Sequence, residues 1–292
     1  MISIENLTKD YGNKKGIFDL SFTINQGEVF GYLGPNGAGK TTTIRHLLGF
    51  LNADKGNCSI NGLNCRTQSS QIMKILGYLP GEMAFFDGMT GIRFLKFMAQ
   101  LHRVKEMNYC YHLIEMFELD ASVKIKKMSK GMKQKLGIVS AFMHNPDVLV
   151  LDEPTSGLDP LMQRLFLDLI HTEKVKGKTI LMSSHNFDEV EKACNRIGII
   201  KQGRLVAIED VEVLRNSKRK NFEVTFDSAE HARNFSEKIN CKSVTLKEKV
   251  ATVSLSGDIN HFIKELSVFP IVDLKSENGS LEDLFMHYYG GK

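Results

Sequence analysis

A glycine-rich segment, residues 34–42, has the residue types and spacing needed to hold a phosphate group. It matches the pattern G-x-x-x-x-G-K followed by Ser or Thr, in which glycines let main-chain N–H groups surround phosphate oxygens. The lysine of this pattern reaches the outer phosphates, and the hydroxyl after it can bind magnesium. The predicted phosphate-binding residues are Gly34, Pro35, Asn36, Gly37, Ala38, Gly39, Lys40, Thr41 and Thr42.

Two adjacent carboxylates are the second candidate for chemistry. Asp152 and Glu153 directly follow the apolar run 147–151, which predicts a buried parallel strand. Ligands of open α/β sheets bind at the carboxyl ends of such strands. We therefore expect Asp152, with Thr41, to hold magnesium and Glu153 to polarise an attacking water. Adjacent acids are also common on surface turns, and the phosphate loop in the same domain favours the catalytic interpretation.

The elements that would position these residues alternate between strand and helix patterns. Over residues 1–215 this alternation predicts an α/β domain with helices packed on a mostly parallel sheet. Apolar residues at helical spacing predict an inserted helical subdomain at about 90–145. Residues 41–50 predict the helix that follows the glycine-rich loop. The apolar runs that predict strands are 28–33, 147–151, 179–182 and 196–201.

A second, smaller α+β module is predicted over residues 221–292, after a charged stretch, 215–220, that resembles a linker. Its strand and helix patterns follow the order β-α-β-β-α-β, which is the ferredoxin-like arrangement. Asp227 or Ser228 is a plausible N-cap of its first helix. A last helix is expected at residues 280–289. This module holds no recognisable chemistry, so stabilisation or dimer contacts are its expected roles.

Bulk composition argues against several classes of protein. The chain has 292 residues, a formal net charge of +4 and 42% hydrophobic residues, which suits about two ordinary domains. The charge is mild and by itself neither requires nor excludes a polyanion partner, and no nucleic-acid partner is expected. The five cysteines are widely spaced without a C-x-x-C pair. This pattern argues against a disulfide framework or a zinc site and favours a reducing cytosol.

No segment of the sequence is typical of membrane insertion or secretion. The longest apolar runs, such as 136–143, fall well short of the roughly 20 residues that span a bilayer. The N-terminus lacks the basic and apolar regions of a signal peptide. If the chain serves a membrane process, we expect another chain to supply the membrane part.

Three further segments stand in the order and spacing of the ATP-binding-cassette (ABC) family. Residues 151–160, Leu-Asp-Glu-Pro-Thr-Ser-Gly-Leu-Asp-Pro, resemble its magnesium-binding strand and D-loop. Residues 128–135, Met-Ser-Lys-Gly-Met-Lys-Gln-Lys, resemble its signature segment, and residues 183–185, Ser-Ser-His, its switch-histidine segment. Tyr11 lies where the family places an aromatic that stacks on adenine. The resemblance covers about residues 1–215 and implies the P-loop NTPase fold.

This resemblance implies that two copies pair head to tail, with ATP between the phosphate loop of one and the signature segment of the other. Ser129 and the main chain of Gly131 would then contact the γ-phosphate of the ATP held by the second copy. His185 would contact the γ-phosphate and hold the geometry for attack. ATP and Mg²⁺ are the implied cofactors, and binding of two ATP molecules would close the pair.

The sequence departs from the family pattern at two places. In the signature segment, Lys130 replaces the first of two paired glycines and Met132 replaces a glutamine. Before the helical block, Gly81 occupies the expected position of a glutamine that contacts magnesium. Either Glu82 substitutes for it as a metal or water ligand, or Glu82 is an ordinary loop acid and magnesium keeps an extra water.

Two adjacent phenylalanines follow this departure. Phe85 and Phe86 lie where the family has a groove that receives a coupling helix from the membrane subunit. Exposed aromatic side chains in a loop are unfavourable unless they are covered. We therefore expect them to line that groove, with ordinary core packing as the alternative.

The end of the chain, residues 280–290, resembles the tail of ATPase subunits from drug- and antibiotic-type exporters. This implies a cytoplasmic ATP-hydrolysing subunit on the inner face of the cell membrane, which powers export through a separate transmembrane permease. One alternative is a soluble ATPase of the same superfamily that acts on nucleic acid or ribosomes. Such proteins tend to have two cassettes or long coiled-coil insertions. The second alternative is the motor of a nutrient importer. Gly81 in place of the usual glutamine, and the resemblance of residues 280–290 to exporter subunits, both argue against it.

Overall fold

Two units, Met1–Val211 and Glu212–Lys292, are distinguished in the computed structural model of the chain. The structure describes residues 1–86, 88–217, 220–239, 244–255 and 259–278. All the residues that the sequence singles out for chemistry lie in the N-terminal unit.

The N-terminal unit begins with strands and then alternates strands with helices. A short 3₁₀ turn, Ile125–Lys127, precedes its fifth helix. The elements are β1 (Ile2–Asp10), β2 (Gly16–Ile24), β3 (Val29–Leu33), α1 (Lys40–Leu47), β4 (Lys55–Ile60), β5 (Leu63–Asn64), α2 (Ser69–Ile72), β6 (Leu76–Leu79), α3 (Gly91–Leu101), α4 (Asn108–Met116), α5 (Lys130–Phe142), β7 (Val148–Asp152), α6 (Pro160–Val175), β8 (Thr179–Ser184), α7 (Phe187–Ala193), β9 (Arg196–Lys201) and β10 (Arg204–Asp210).

A six-stranded sheet, in the order β10-β9-β3-β8-β7-β6, positions the candidate site. Its strands are parallel except for β10. The predicted strands are confirmed as β3, β7, β8 and β9, and the predicted helix as α1. Strands β3, β7 and β8 are buried throughout, as a parallel sheet covered on both faces requires. Their carboxyl ends meet at one edge, where Leu33 pairs with Ser184 and Asp152 with Ser183.

A second sheet, in the order β2-β1-β4-β5, is antiparallel and was not predicted. It shares one hydrophobic core with the parallel sheet: Phe22 of β2 stacks on Phe30 of β3, with ring centroids 5.3 Å apart. Helix α1 contacts β2 and β4 of this sheet and β7 of the parallel sheet. The start of α1, and the glycine-rich loop before it, are therefore held by both sheets.

Helices α3, α4 and α5 occupy the stretch for which a helical insertion was predicted. Thr90 and Ser129 are the N-caps of α3 and α5, where their hydroxyl oxygens accept main-chain N–H groups and so stabilise the helix starts. Helix α5 packs against α3, α4 and β6. It thereby links the insertion to the parallel sheet.

A buried ionic cluster joins α4 to α6. Glu173 of α6 is fully buried, and its carboxylate accepts hydrogen bonds from Tyr109 (2.8 Å) and Lys176 (2.7 Å) and pairs with Lys178. Burial acts to raise the pKa of Glu173, but the hydrogen bonds from Lys176, Lys178 and Tyr109 outweigh it. The pKa therefore lies below its ordinary value, and the carboxylate is charged at neutral pH.

Glu173→Gln is expected to lower the free energy of unfolding by about 3 kcal/mol at pH 7, because it leaves the buried Lys178 without its countercharge. A carboxylate with a lowered pKa stabilises the folded state above its unfolded pKa and loses this contribution as the pH falls through the folded value. The advantage of the wild type should therefore shrink below pH 4.5, the unfolded value. Urea unfolding, followed by circular dichroism at several pH values, measures the difference in the free energy of unfolding between the wild type and Glu173→Gln.

The matched control for this change is Glu115→Gln, which removes the same charge from an exposed position on α4. It should alter the free energy of unfolding by less than about 0.5 kcal/mol. An equal loss in the two variants, or a loss in Glu173→Gln that stays constant down to low pH, would contradict this account of the cluster.

The C-terminal unit is an antiparallel sheet with helices, in the sheet order β12-β13-β11-β14. The predicted order of strands and helices is observed, and Ser228 is the N-cap of its first sheet-packed helix. Its core combines aliphatic residues with four phenylalanines, Phe222, Phe226, Phe235 and Phe262. The elements are α8 (Val211–Ser217), β11 (Lys220–Phe226), α9 (Ala229–Lys238), β12 (Val244–Lys247), β13 (Val250–Leu255), α10 (Ile259–Leu266) and β14 (Ile271–Asn278).

The predicted linker at 215–220 is wrong in its first part, because α8 continues to Ser217. Val211 and Leu214 of α8 are buried and lie three residues apart, so they form an apolar face on the helix. The charged residues that follow them do not reveal that the helix continues. The helix predicted at residues 280–289 lies outside the described residues. Among the helices that the structure describes, none has the length and apolar character needed to cross a membrane.

Candidate functional site

The glycine-rich loop connects the carboxyl end of β3 to the start of α1. A Cβ atom at Gly34 would lie 2.5 Å from the carbonyl oxygen of Ile200, and Gly39 has a φ of 112°, which a side chain would strain. The α1 ladder begins with Thr43 N–H donating to Gly39 O at 3.0 Å. The N–H groups of residues 40–42 therefore have no acceptor within the helix. These donors, at the positive end of the helix, suit a phosphate group.

Lys40 points back over this loop and is only 6% exposed. Its ammonium group donates to the carbonyl oxygens of Gly34 (2.5 Å) and Pro35 (3.4 Å). It also lies 3.1 Å from Glu153 Oε1, a buried atom that has no hydrogen-bond partner among the described residues. This contact is therefore an attraction between charges without hydrogen-bond geometry. The ammonium group is held where an incoming phosphate could replace its present partners.

Asp152, the last residue of β7, is buried and accepts two hydrogen bonds from hydroxyl groups. Thr41 Oγ1 donates to Asp152 Oδ2 at 2.8 Å, and Ser183 Oγ donates to Asp152 Oδ1 at 2.5 Å. The two predicted metal ligands therefore face each other. Among the described residues, no group of three or more His, Cys, Asp or Glu side chains is arranged so that it could hold a metal ion by itself. Hydroxyl and carboxylate oxygens fit Mg²⁺, which commonly binds one or two carboxylates together with substrate phosphates and water.

Glu153 has an unusual main-chain conformation, with a φ of 50°, in a region that residues with a side chain rarely adopt. Its N–H group donates to Ser183 Oγ at 3.0 Å. Its Oε2 atom accepts a hydrogen bond from His185 Nδ1 at 2.7 Å, while Oε1 faces Lys40. The carboxylate thus lies between the lysine of the glycine-rich loop and the histidine that follows β8. The sequence placed Ser183 in the segment 183–185 but assigned it no role, although its hydroxyl group contacts both acids.

Two clefts open beside these residues. One, of about 770 Å³, is lined by residues that include Thr41, Asp152, Glu153 and His185. The other, of about 500 Å³, is lined by Tyr11 together with residues of the glycine-rich loop. Both clefts include Thr41 and Glu153, so together they offer adjoining space for the two ends of a nucleotide. Tyr11 is 53% exposed in this setting, and the Lys9 ammonium group lies 6.0 Å from the centroid of its ring.

Tyr78 also lines the larger cleft but stays protonated near neutral pH. Burial raises the pKa of Tyr78 to about 12, and the nearby charge of Asp152 adds to this effect. Its hydroxyl can therefore donate hydrogen bonds near the acids but cannot act as a base there.

Part of the signature segment, Lys130, Lys133 and Gln134, lines the larger cleft, whereas Ser129 and Gly131 do not. Ser129 Oγ accepts the N–H of Met132 at 3.2 Å as the N-cap of α5. Ser129 and Gly131 are absent from the described lining of both clefts. Lys130 does line the larger cleft, and its ammonium group donates to Ser156 Oγ at 3.2 Å. Within this copy of the chain, the observed role of Ser129 is therefore to cap α5.

The loop that carries the second departure from the family pattern borders the metal-ligand candidates. A Cβ atom at Gly81 would lie 3.5 Å from Asp152 Oδ2, and the exposed Glu82 lines the same cleft. Phe85 is partly buried and packs edge-on against Phe94, with ring centroids 5.1 Å apart. Phe86 is 56% exposed. Phe86 packs edge-on against Phe97, with ring centroids 5.9 Å apart, but keeps more of its surface exposed than Phe85 does.

Comparison with known proteins agrees with this arrangement. Residues 17–156 match the family model for "ABC transporter". The chain is 32% identical to the bacitracin transport ATP-binding protein BcrA of Bacillus licheniformis, over 100% of this chain and 98% of that protein. It is 31% identical to the linearmycin resistance ATP-binding protein LnrL of Bacillus subtilis strain 168, over 99% and 98% of the two chains.

Solved structures have the same fold. The structure of an ATP-binding subunit of an ABC transporter is 31% identical, with a TM-score of 0.68 over 74% of this chain and 92% of the other. A dimeric ATP-binding cassette bound to ADP and Pi, 21% identical, has a TM-score of 0.65 over 72% and 99% of the two chains. With the phosphate loop and paired acids at one sheet edge, these matches establish the family. The chain is an ATP-binding subunit of the ABC transporter family, an ATPase with the P-loop NTPase fold.

Proposed function

We propose that this ATPase powers export through a separate transmembrane permease, on the inner, cytoplasmic face of the cell membrane. The proposal rests mainly on the similarity to the bacitracin transport ATP-binding protein, which extends along the whole of this chain. A second relative that matches over nearly its full length is named for linearmycin resistance. Resistance and antibiotic transport together favour export over uptake.

Affinity purification from detergent-solubilised membranes tests this proposal. We expect the chain to co-purify with an integral membrane protein, and inverted vesicles containing both to accumulate a substrate when ATP is supplied outside. Co-purification with ribosomes or nucleic acid, without a membrane protein, would support the soluble-ATPase alternative instead. ATP-driven movement of substrate out of inverted vesicles would support the importer alternative.

The catalytic roles follow from the contacts at the sheet edge. Phosphates entering the loop would draw the ammonium group of Lys40 away from the carbonyl groups and from Glu153. Mg²⁺ held by Thr41 and Asp152 would supply positive charge to the phosphate oxygens. Glu153 would then be free to orient and polarise a water molecule, and His185, already bonded to it, would hold the attack geometry.

A second copy of the chain would complete the nucleotide site. Tyr11 would stack on adenine in its own copy, while Ser129 and Gly131 would contact the γ-phosphate of the ATP held by the partner. Both lie at the start of α5, whose positive end favours an anion. The dimeric state of a cassette with the same fold is compatible with this pairing.

The permease would dock beside the loop that precedes α3. Phe86 offers an exposed ring that is held edge-on against Phe97, while Phe85 packs on Phe94. Glu82, at the rim of the larger cleft, would complete the magnesium shell through water. Docking and the metal site would then share one loop.

Phe86→Ser is expected to reduce co-purification with the permease by about 10-fold or more, because buried aromatic side chains dominate interface energies. The basal ATPase rate of the isolated subunit should be unchanged. Quantitative pull-down from co-expressing membranes measures the first effect, and phosphate release the second. Tyr111→Ser, which removes another half-exposed aromatic ring from α4, is the control. Equal retention of the permease by both variants would exclude docking at Phe86.

A further inference from the structure

The strained main chain at Glu153 must be held by its surroundings. A residue with a side chain at a φ of 50° carries a conformational cost and persists only where neighbouring contacts enforce it. Ser183 Oγ accepts the N–H of Glu153 at 3.0 Å and so fixes the preceding peptide group. The peptide groups that follow Glu153 need a comparable restraint.

Gln134 supplies that restraint from α5. Its side chain is 2% exposed, and Nε2 donates to the carbonyl oxygen of Pro154 at 2.6 Å. A second, longer contact of 3.5 Å runs from Nε2 to the carbonyl oxygen of Glu153, which also accepts the N–H of Ser156 at 3.2 Å. Both partners of Nε2 are carbonyl oxygens, which only accept hydrogen bonds, so the orientation of the amide group is determined.

Other residues of the same face of α5 contact the same segment. A Cβ atom at Gly131 would lie 3.0 Å from the carbonyl oxygen of Gly157, so the two main chains are in close approach. Lys130 donates to Ser156 Oγ at 3.2 Å, and its methylene groups lie against Gly157. The start of α5 therefore packs along the turn that follows Glu153.

We infer that Gln134 is a positioning residue for Glu153. By holding the carbonyl groups after Glu153 it maintains the left-handed turn that directs the carboxylate toward Lys40 and His185. Loss of this amide would let the turn relax and would move the carboxylate of Glu153. The rate of hydrolysis is sensitive to such a movement, because a displacement of about 1 Å can lower a rate 100-fold. The inference depends on the proposed role of Glu153 in polarising water.

Gln134→Met tests the inference, because it keeps the length and burial of the side chain and removes the donor. We expect kcat for ATP hydrolysis to fall by about 10- to 100-fold, with KM and the affinity for a non-hydrolysable ATP analogue nearly unchanged. The same change in a Glu153→Gln background should have almost no further effect on single-turnover hydrolysis, because residues that act through one another are not additive. A purely structural role would lower the rate in both backgrounds.

Gln163→Met is the matched control. Gln163 also donates through Nε2 to a main-chain carbonyl, that of Leu158 at 3.1 Å, but Leu158 lies beyond the turn at Glu153. The kcat of Gln163→Met should therefore stay close to that of the wild type. If Gln163→Met costs as much as Gln134→Met, general loosening of the segment explains the loss and the inference fails.

Gln134→Glu gives an independent measurement if the methionine variant does not fold. A protonated glutamic acid keeps one O–H donor for Pro154 O, whereas the ionised form keeps none. Its kcat relative to the wild type should therefore fall as the pH rises. A pH-independent ratio, or unchanged kcat in Gln134→Met, would overturn the positioning role. Normal hydrolysis by Glu153→Gln alone would instead remove the role of Glu153 itself.

Discussion

Glu153→Gln is expected to reduce the steady-state ATPase rate by about 100- to 10,000-fold, the usual contribution of a positioned general base. Glutamine keeps the size of the side chain and can still contact His185, so the site should remain assembled. ATP affinity should be retained, because Glu153 is not a phosphate-binding residue and Lys40, which faces it, keeps its positive charge for the phosphates. Phosphate release at saturating Mg-ATP and calorimetric titration with ATP measure the two quantities.

Glu115→Gln removes the same charge from an exposed position on α4 and should leave both quantities unchanged. Hydrolysis by Glu153→Gln at the wild-type rate would exclude Glu153 as the group that polarises water. A parallel loss of rate and ATP affinity would show instead that Glu153 mainly maintains the pocket.

Lys40→Ala is expected to weaken ATP binding directly. A hydrogen bond to a charged group contributes about 2 kcal/mol, which corresponds to a rise in Kd of about 30-fold. Because Lys40 is buried and also faces Glu153, its removal should lower kcat as well. Titration with a fluorescent ATP analogue measures the affinity.

Lys14→Ala is the comparison for this variant, since Lys14 is an exposed lysine at the rim of the cleft that contains the glycine-rich loop. It removes the same charge and should change Kd much less. Equal affinities in the wild type and Lys40→Ala would refute the assignment of the phosphate loop.

The core of this fold could be predicted because its signals are local. The spacing of residues 34–42 specifies a turn and a helix start, and the apolar run before Asp152 specifies a buried strand. In a parallel sheet, the strand before the glycine-rich loop and the strand that ends at Asp152 have their carboxyl ends at the same edge. The loop and the acids are therefore predicted to lie together. The hydrogen bond between Thr41 and Asp152 is the direct consequence.

The antiparallel sheet of β1, β2, β4 and β5 could not be recognised in the same way. Register shifts interrupt the pairing of β1 with both of its neighbours. Apolar residues alternate in β2, at Leu20, Phe22 and Ile24, but the pattern in β1 breaks after Ile4. The core of the sheet is completed by Phe30 and Ile44 of other elements. Its stability depends on contacts between distant parts of the chain, which a local pattern does not reveal.

The residues that support Glu153 could not be predicted from the sequence, because their contacts also join distant parts of the chain. Ser183 reaches both acids because β7 and β8 pair in parallel with Asp152 opposite Ser183, a register that the sequence does not state. Gln134 lies between Lys133 and Lys135 in a run of lysines that suggests a solvated surface. Its burial becomes evident only when α5 is packed against the turn after Glu153.

Sedimentation of Glu153→Gln tests most directly the claim that ATP is bound by the glycine-rich loop of one copy and capped by Ser129 of another. With Mg-ATP the protein should sediment as a dimer containing one ATP per copy, and as a monomer with Mg-ADP or without nucleotide. Ser129→Glu in the same background should abolish the dimer while ATP stays bound, because its charge would repel the γ-phosphate. Monomers saturated with ATP, or a dimer indifferent to Ser129→Glu, would contradict the claim.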